Sequence, residues 1–133
     1  MVSLPPAVLE MAKHPNTIKI MSSINEDGTP HSIICGTLFV PDAETVGVGQ
    51  VWMGTTGRNV MRDGRVEFVL WGEGRKAFGV QCRFREKTDD PVVLASVNEK
   101  LERMNIEARS VWFFDVVAVT DESFGPNMGK VIA

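Results

Sequence analysis

Apolar and polar residues alternate along several segments of the chain, which is the pattern of β-strands with one buried face. The alternation is clearest over 17–24 and 65–71, and Asp27-Gly28 after the first segment indicates a hairpin turn. Further strands are predicted over 31–40, 45–53, 76–87 and 110–120. Strands joined by short turns form antiparallel sheets, and a closed or nearly closed barrel is their usual arrangement.

Three other segments have helical features. Pro5-Pro6 suits the first turn of a short N-terminal helix, which His14-Pro15 ends. A second short helix follows the third strand near 59–63, and a third lies near residues 91–105 behind a proline start signal. The pattern therefore predicts one mainly β domain, residues 1–133, with six antiparallel strands and three helices.

The strands predicted over 31–40 and 110–120 are apolar on both faces, whereas a strand with one solvated face should alternate. The second apolar face needs a cover, which a helix, a ligand or another subunit could provide. Of these, a homodimer explains the pattern most simply, and we expect the chain to pair with a second copy.

The composition argues against several classes of function. The net charge of −3 argues against binding nucleic acid by phosphate neutralisation, and no apolar run is long enough to cross a membrane. The start of the chain carries no secretory signal, and the two cysteines fit a reducing compartment, so we expect a cytoplasmic protein. With two histidines and no ligand-like spacing of Cys or His, we expect no metal site.

The segment 55–63 carries the most informative polar residues. Two threonines, an arginine and an asparagine lie where a strand is predicted to end and a helix to begin. The unpaired N–H groups of a helix N-terminus, together with Arg58, could hold a phosphate. From spacing alone, simple capping of the helix by Thr56 with a solvated Arg58 is the stronger interpretation. Cys35 and Cys82 are expected to be buried and unreactive.

Four stretches in order resemble the FMN-binding split-barrel family of pyridoxamine 5'-phosphate oxidase-like proteins. The resemblance is strongest to its small members, the FMN-binding proteins of sulfate-reducing bacteria. The matching stretches are Asn25-Glu26-Asp27-Gly28-Thr29-Pro30-His31, Thr56 through Val66, Phe78 to Phe84, and Gly125-Pro126-Asn127-Met128-Gly129-Lys130.

The resemblance implies a six-stranded antiparallel Greek-key split β-barrel that forms a homodimer and binds FMN between its subunits. By position, it assigns Ser32, Ile33, Ile34, Cys35, Gly36 and Thr37 to the ring and ribityl chain, and Thr55, Thr56, Arg58 and Asn59 to the phosphate. With this assignment, phosphate binding replaces simple helix capping as the favoured interpretation of the segment 55–63. Thr55 stands where many relatives have a basic residue, so Arg58, Arg62 or Arg75 must supply the positive charge.

The implied function is that of a flavin-dependent oxidoreductase or electron-transfer protein with a small-molecule redox partner or electron donor. No catalytic side chain stands out. True pyridoxamine-phosphate oxidase activity is not expected, because the C-terminal Arg- and His-containing signature is missing. Two alternatives remain: a non-catalytic FMN carrier or sensor, and a split barrel that binds a deazaflavin or heme instead of FMN.

Overall fold

The computed structural model describes all 133 residues, which form one antiparallel sheet of eight strands and three α-helices. The strands are β1 (Ile18–Ile24), β2 (Pro30–Ile34), β3 (Leu38–Asp42), β4 (Thr45–Gly49), β5 (Arg65–Trp71), β6 (Ala77–Thr88), β7 (Val111–Asp121) and β8 (Lys130–Val131). The helices are α1 (Pro6–Lys13), α2 (Gly54–Arg62) and α3 (Pro91–Leu101), and a 3-10 turn (Glu102–Met104) follows α3. None of the helices combines the length and apolar character that crossing a bilayer requires.

The order of the strands explains how the sheet curls into a barrel. The sheet runs β2-β1-β5-β6-β7-β4-β3, with β8 added to β7, so its two end strands are consecutive in sequence. The bend Cys35-Gly36-Thr37 joins them: the Cys35 N–H donates to the Lys19 carbonyl (2.7 Å), and the Thr37 carbonyl accepts from the Gly49 N–H (3.3 Å). One short bend therefore connects the two ends of the sheet.

A core of twenty buried apolar residues fills the barrel, and its largest members are Trp112, Phe68 and Phe114. Phe68 and Phe114 meet edge to face with ring centroids 5.3 Å apart, a favoured geometry for aromatic pairs. Val8 on α1 and Val60 on α2 belong to the same cluster, so both helices pack against the barrel. Burial of these side chains is the main term that stabilises the fold.

A second, smaller cluster lies under α3. Val97 and Leu101 of the helix pack against Val111 of β7, and the half-buried Phe113 completes the contact. Asp90 caps α3 by accepting hydrogen bonds from the N–H groups of the next turn. A helix therefore covers the second apolar face of β7 at its N-terminal half, which was one of the covers that the sequence left open.

The structure confirms the predicted fold class, a mainly β antiparallel barrel with three helices, and corrects its details. There are eight strands rather than six, because 31–40 breaks at the bend 35–37 and because a short β8 pairs with β7. The strand predicted over 45–53 ends at Gly49. Beyond it the Gln50 N–H donates to the Ser110 carbonyl, and Trp52 takes a left-handed backbone conformation (φ 52°) that turns the chain.

Candidate functional site

The first turn of α2 presents backbone N–H groups that have no acceptor within the protein. The helix begins at Gly54, five residues earlier than predicted, and its N-cap residue Met53 provides no side-chain cap. Gly57 makes the first backbone bond, to the Met53 carbonyl (2.7 Å), which leaves the N–H groups of Gly54, Thr55 and Thr56 free. Such a turn carries partial positive charge and favours an anion.

A positively charged cavity lies beside this turn. Its lining includes Arg58 and Lys87 and holds no carboxylate, although the whole chain has a net charge of −3. The two ion pairs of the protein, Arg65–Asp63 and Arg85–Asp115, involve neither of these cations. The complete lining is Gln50, Gly54, Gly57, Arg58, Met61, Arg62, Lys87 and Trp112.

Of the four predicted phosphate residues, only Arg58 lines this cavity. Thr55 and Arg58 are exposed and adjacent, and the Arg58 guanidinium donates to the Thr55 hydroxyl (3.2 Å). Thr56, by contrast, is only 1% exposed and does not line the cavity, so neither its hydroxyl nor its backbone N–H is open to a ligand there. Neither threonine is the N-cap, so the capping role considered for Thr56 is wrong.

The Asn59 side chain, in contrast, makes its hydrogen bonds within the protein. It is 3% exposed, and its amide donates to the Ser23 hydroxyl (3.0 Å) and to the side-chain oxygen Oδ1 of Asn25 (2.9 Å). Its own oxygen accepts from Arg62 (2.8 Å), which also donates to the Ile24 carbonyl (2.6 Å). This network ties α2 to the end of β1. The Asn59 side chain has no free donor left for a ligand.

Arg62 and Arg75, the other two arginines that could supply positive charge to a bound phosphate, are placed differently from Arg58. Arg62 lines the cavity, but two acceptors already hold its guanidinium. Arg75 lies over the ring of Phe124, 5.4 Å from its centroid, in the loop between β5 and β6. Arg58 is therefore the predicted arginine best placed to meet an anion at α2.

Trp112 and Lys87 belong to the cavity, although sequence reasoning did not assign them to it. They are cross-strand partners in the pairing of β6 with β7. Trp112 is 1% exposed, and its indole N–H is buried without a hydrogen-bond partner. Only the pairing of strands far apart in sequence brings these two residues to α2, so no local spacing could have indicated them.

The predicted ring segment, 32–37, alternates between core and solvent. Cys35 and Thr37 are buried, and the Thr37 hydroxyl donates to the Gly49 carbonyl (2.6 Å). Ser32 and Gly36 are exposed, as is Ile34, whose side chain is 71% exposed. Ile33 packs against the core. Since β2 and β3 end the sheet, one edge of each has no strand partner, and its backbone groups are open to a ligand.

The contact between Thr37 and Gly49 links the two predicted segments. Gly49 is the last residue of β4, and the chain reaches the first turn of α2 five residues later. The bend that connects β2 and β3 is thus tied to the strand leading into the phosphate site. The structure brings the predicted ring segment and the start of α2 to neighbouring parts of the barrel.

Both cysteines are buried, as the sequence predicted. Burial raises the pKa of the Cys35 thiol to about 11, and it also raises the pKa of Cys82, with the charge of Asp115 adding to the effect. Thiols held protonated in this way are poor nucleophiles. No group of three or more Cys, His, Asp or Glu side chains is arranged to hold a metal ion.

Solved structures place the fold among known proteins, whereas no family model and no curated protein matches the sequence. HupZ from Group A Streptococcus is 13% identical, with a TM-score of 0.78 over 97% of this chain and 100% of that one. An FMN-binding protein from Syntrophomonas wolfei subsp. wolfei is 13% identical, with a TM-score of 0.75 over 89% and 88%. An F420 reductase is 14% identical, with a TM-score of 0.71 over 88% and 98%.

These likenesses extend over most of the chain in each case, so they concern the whole barrel rather than one motif. At such low identity they establish the fold alone, and a special closeness to the sulfate-reducer proteins stays a prediction. The chain has the split-barrel fold of FMN-binding and pyridoxamine 5'-phosphate oxidase-like proteins, which is the fold that the sequence resemblance predicted.

Proposed function

We propose that this protein binds FMN without a covalent bond and serves as a flavin-dependent oxidoreductase or electron-transfer protein. The observation that carries the proposal is the first turn of α2. Gly54, whose N–H group is free, and Arg58 line a cavity without carboxylates, and the exposed Thr55 beside them adds a second free N–H group and a hydroxyl. A phosphate monoester is the ligand that such donors suit. The likeness to an FMN-binding split barrel supports the flavin part of the proposal.

In this proposal the phosphate binds to the N–H groups of Gly54 and Thr55, to the Thr55 hydroxyl and to Arg58. The isoalloxazine lies along 32–37, where the open backbone edges of β2 and β3 and the exposed Ile34 side chain offer hydrogen bonds and apolar contact. FMN would supply the redox chemistry, and the chain would supply position and electrostatics.

We also propose a homodimer with the cofactor at the subunit interface. The outer face of the barrel carries apolar side chains on neighbouring strands: the exposed Ile18 and Trp71 pair with each other, and the exposed Ile34 pairs with the half-buried Ile20. On the same face, beyond β5, the buried side-chain carbonyl oxygen of Gln81 has no hydrogen-bond partner. A second copy on this face would cover the apolar residues beside the ring segment and could provide the missing donor.

Titration of the protein with FMN, followed by quenching of flavin fluorescence, tests the cofactor assignment. We expect Arg58→Ala to weaken FMN binding about ten- to a hundredfold, since hydrogen bonds to charged groups contribute roughly 1.5–3 kcal/mol. Arg103→Ala is the matched control, because Arg103 is an exposed arginine in the 3-10 turn outside the cavity. Equal affinity of the two variants would remove Arg58 from the site.

Sedimentation of the FMN-loaded protein tests the dimer. Ile34→Glu should give a monomer with weakened FMN binding, whereas Val92→Glu, at a 78% exposed apolar position on α3, should leave the dimer intact. A wild-type protein that sediments as a monomer with FMN bound would contradict the interface.

A deazaflavin is the second candidate cofactor, because an F420 reductase shares the fold. Parallel titration with FMN and with F420 separates the two. Tighter binding of F420 would replace FMN in the proposal, and a change in the heme Soret band on mixing would identify the heme alternative. Flavin that binds but is not reduced by NAD(P)H or another donor would favour the carrier or sensor role.

A further inference from the structure

The indole N–H of Trp112 is one of only two buried side-chain polar atoms in the protein that lack a hydrogen-bond partner. The side chain is 1% exposed, so water does not solvate the donor. A buried donor of this kind destabilises the fold unless something binds it, and native proteins contain few of them. The fold therefore holds a donor in place for an acceptor that the chain itself does not provide.

The indole lies against the first turns of α2. The nearest atom to the position of a Cβ on Gly57 is Trp112 Cζ2, at 3.5 Å, with Cη2 at 3.6 Å. Cζ2 and Cη2 are carbons of the benzene ring, and Cζ2 is two bonds from Nε1. Gln50 Nε2 lies 3.8 Å from the same position. The absent side chain at Gly57 thus lets the benzene ring of the indole approach the helix closely.

Lys87 adds a cation on the same side. It is the cross-strand partner of Trp112, its side chain is exposed, and it takes part in no ion pair. Both residues line the cavity that Gly54 and Arg58 line from α2. The cavity thus has donors on two walls, one formed by the helix start and one by the pairing of β6 with β7.

We propose that Trp112 and Lys87 form the second wall of a phosphate site and set its preference for a phosphate monoester dianion. The assignment rests on the proposed function for the position of the phosphate, and it adds ligands that the sequence resemblance did not assign. Two cations, Arg58 and Lys87, match the two charges of the dianion. The indole N–H and the free N–H groups of α2 add neutral donors for its oxygens.

The test compares FMN, riboflavin and inorganic phosphate as ligands of the full-length protein at about pH 8, where phosphate is largely dianionic. Trp112→Phe removes the N–H and keeps an aromatic ring. We expect it to weaken FMN and phosphate binding about tenfold and to leave riboflavin binding unchanged. Trp52→Phe, at a 91% exposed position outside the cavity lining, is the matched control and should bind all three ligands normally.

Two further measurements cover the chance that Trp112→Phe fails to fold. Lys87→Met alters an exposed side chain and should weaken FMN and phosphate binding by a similar factor. In a ¹H–¹⁵N spectrum of the wild-type protein, one of three indole signals should move on addition of inorganic phosphate. Trp52→Phe and Trp71→Phe, at exposed positions, assign the signals by elimination, because the moving signal should persist in both variants.

The outcomes separate this inference from the proposed function. Phosphate binding that moves the Trp112 signal in a protein that does not bind FMN would support the inference and contradict the flavin assignment. FMN binding with an unmoved Trp112 signal and with normal affinity in Lys87→Met would overturn the inference and leave the flavin assignment standing. A protein that binds neither ligand would overturn both.

Discussion

The polar groups in the two halves of α2 differ in whether the protein itself provides their hydrogen-bond partners. In the second half, Asn59 and Arg62 bind each other and the end of β1, with Ser23, Asn25 and Ile24 as partners. In the first turn the backbone N–H groups have no acceptors, and the neighbouring Trp112 N–H is equally unpartnered.

This difference shows which polar residues hold the fold together and which remain available to a ligand. Groups whose hydrogen bonds are complete within the chain have nothing left to bind with, whatever a motif suggests for them. Buried donors without partners do have that capacity, and their desolvation favours any anion that can reach them. On this basis we propose that Asn59 stabilises the protein and that the turn before it binds the ligand.

The largest expected effect on stability comes from removing the hydrogen-bond network in the second half of α2. Asn59→Ala should lower the free energy of unfolding by about 2–3 kcal/mol, because it leaves Ser23, Asn25 and Arg62 without their partner. FMN affinity should change little while the protein remains folded. Chemical denaturation and FMN titration of the same sample measure both quantities. A stable variant that loses FMN binding would place Asn59 in the ligand site.

A smaller effect should appear at alkaline pH, from a buried group in the ring segment. The folded protein keeps the Cys35 proton up to a pKa of about 11, above its ordinary value of 9.0, so more protons are bound in the folded than in the unfolded state between these values. The stabilisation is complete below about pH 9 and is lost as the pH rises towards 11, on the order of 2 kcal/mol in all.

Denaturation curves of the wild type and Cys35→Ala over this range isolate the contribution of Cys35. Cys82 acts in the same direction and remains in both proteins, so only Cys35 changes the difference between them. The wild type should lose stability more steeply with pH than the variant. Parallel curves would mean that the thiol is more accessible than its burial indicates.

We expect Trp52→Gly to raise the free energy of unfolding by about 1 kcal/mol. Trp52 precedes the N-cap of α2 with a φ of 52°, a conformation that glycine adopts without strain, and its side chain is 91% exposed, so little packing is lost. Thermal unfolding measures the gain. The free N–H groups of α2 are untouched, so FMN affinity should persist; a less stable variant would show that the indole packs against something in solution.

The smallest expected effect on stability comes from removing the two cations of the cavity. The double variant Arg58→Ala/Lys87→Ala should unfold within about 0.5 kcal/mol of the wild type, because both side chains are exposed and in no ion pair. Urea denaturation in the absence of ligand is the measurement. A large loss of stability would mean that these cations support the fold in the way that Arg62 does.

Local patterns predicted most of the fold. Alternation located β1 and β5, the Asp27-Gly28 turn located the first hairpin, and Pro91 marked the start of α3. The break at 35–37 was missed because apolar residues on both sides of it continue the pattern of a strand, and it arises from contacts with Lys19 and Gly49, which are distant in sequence.

The site was predictable only in part for the same reason. Thr55 and Arg58 lie on one turn of one helix, so their spacing indicated the site. The engagement of Asn59 depends on Ser23, and the positions of Lys87 and Trp112 depend on the pairing of β6 with β7. These are tertiary contacts that no local motif encodes.

A crystal structure of the protein with FMN tests the central claim most directly. We predict phosphate oxygens within about 3 Å of the Gly54 and Thr55 backbone nitrogens and of Trp112 Nε1, with the Asn59 network unchanged. A phosphate bound elsewhere, or held by a released Asn59 side chain while the start of α2 stays free, would contradict the division of α2 into a ligand-binding and a structural half.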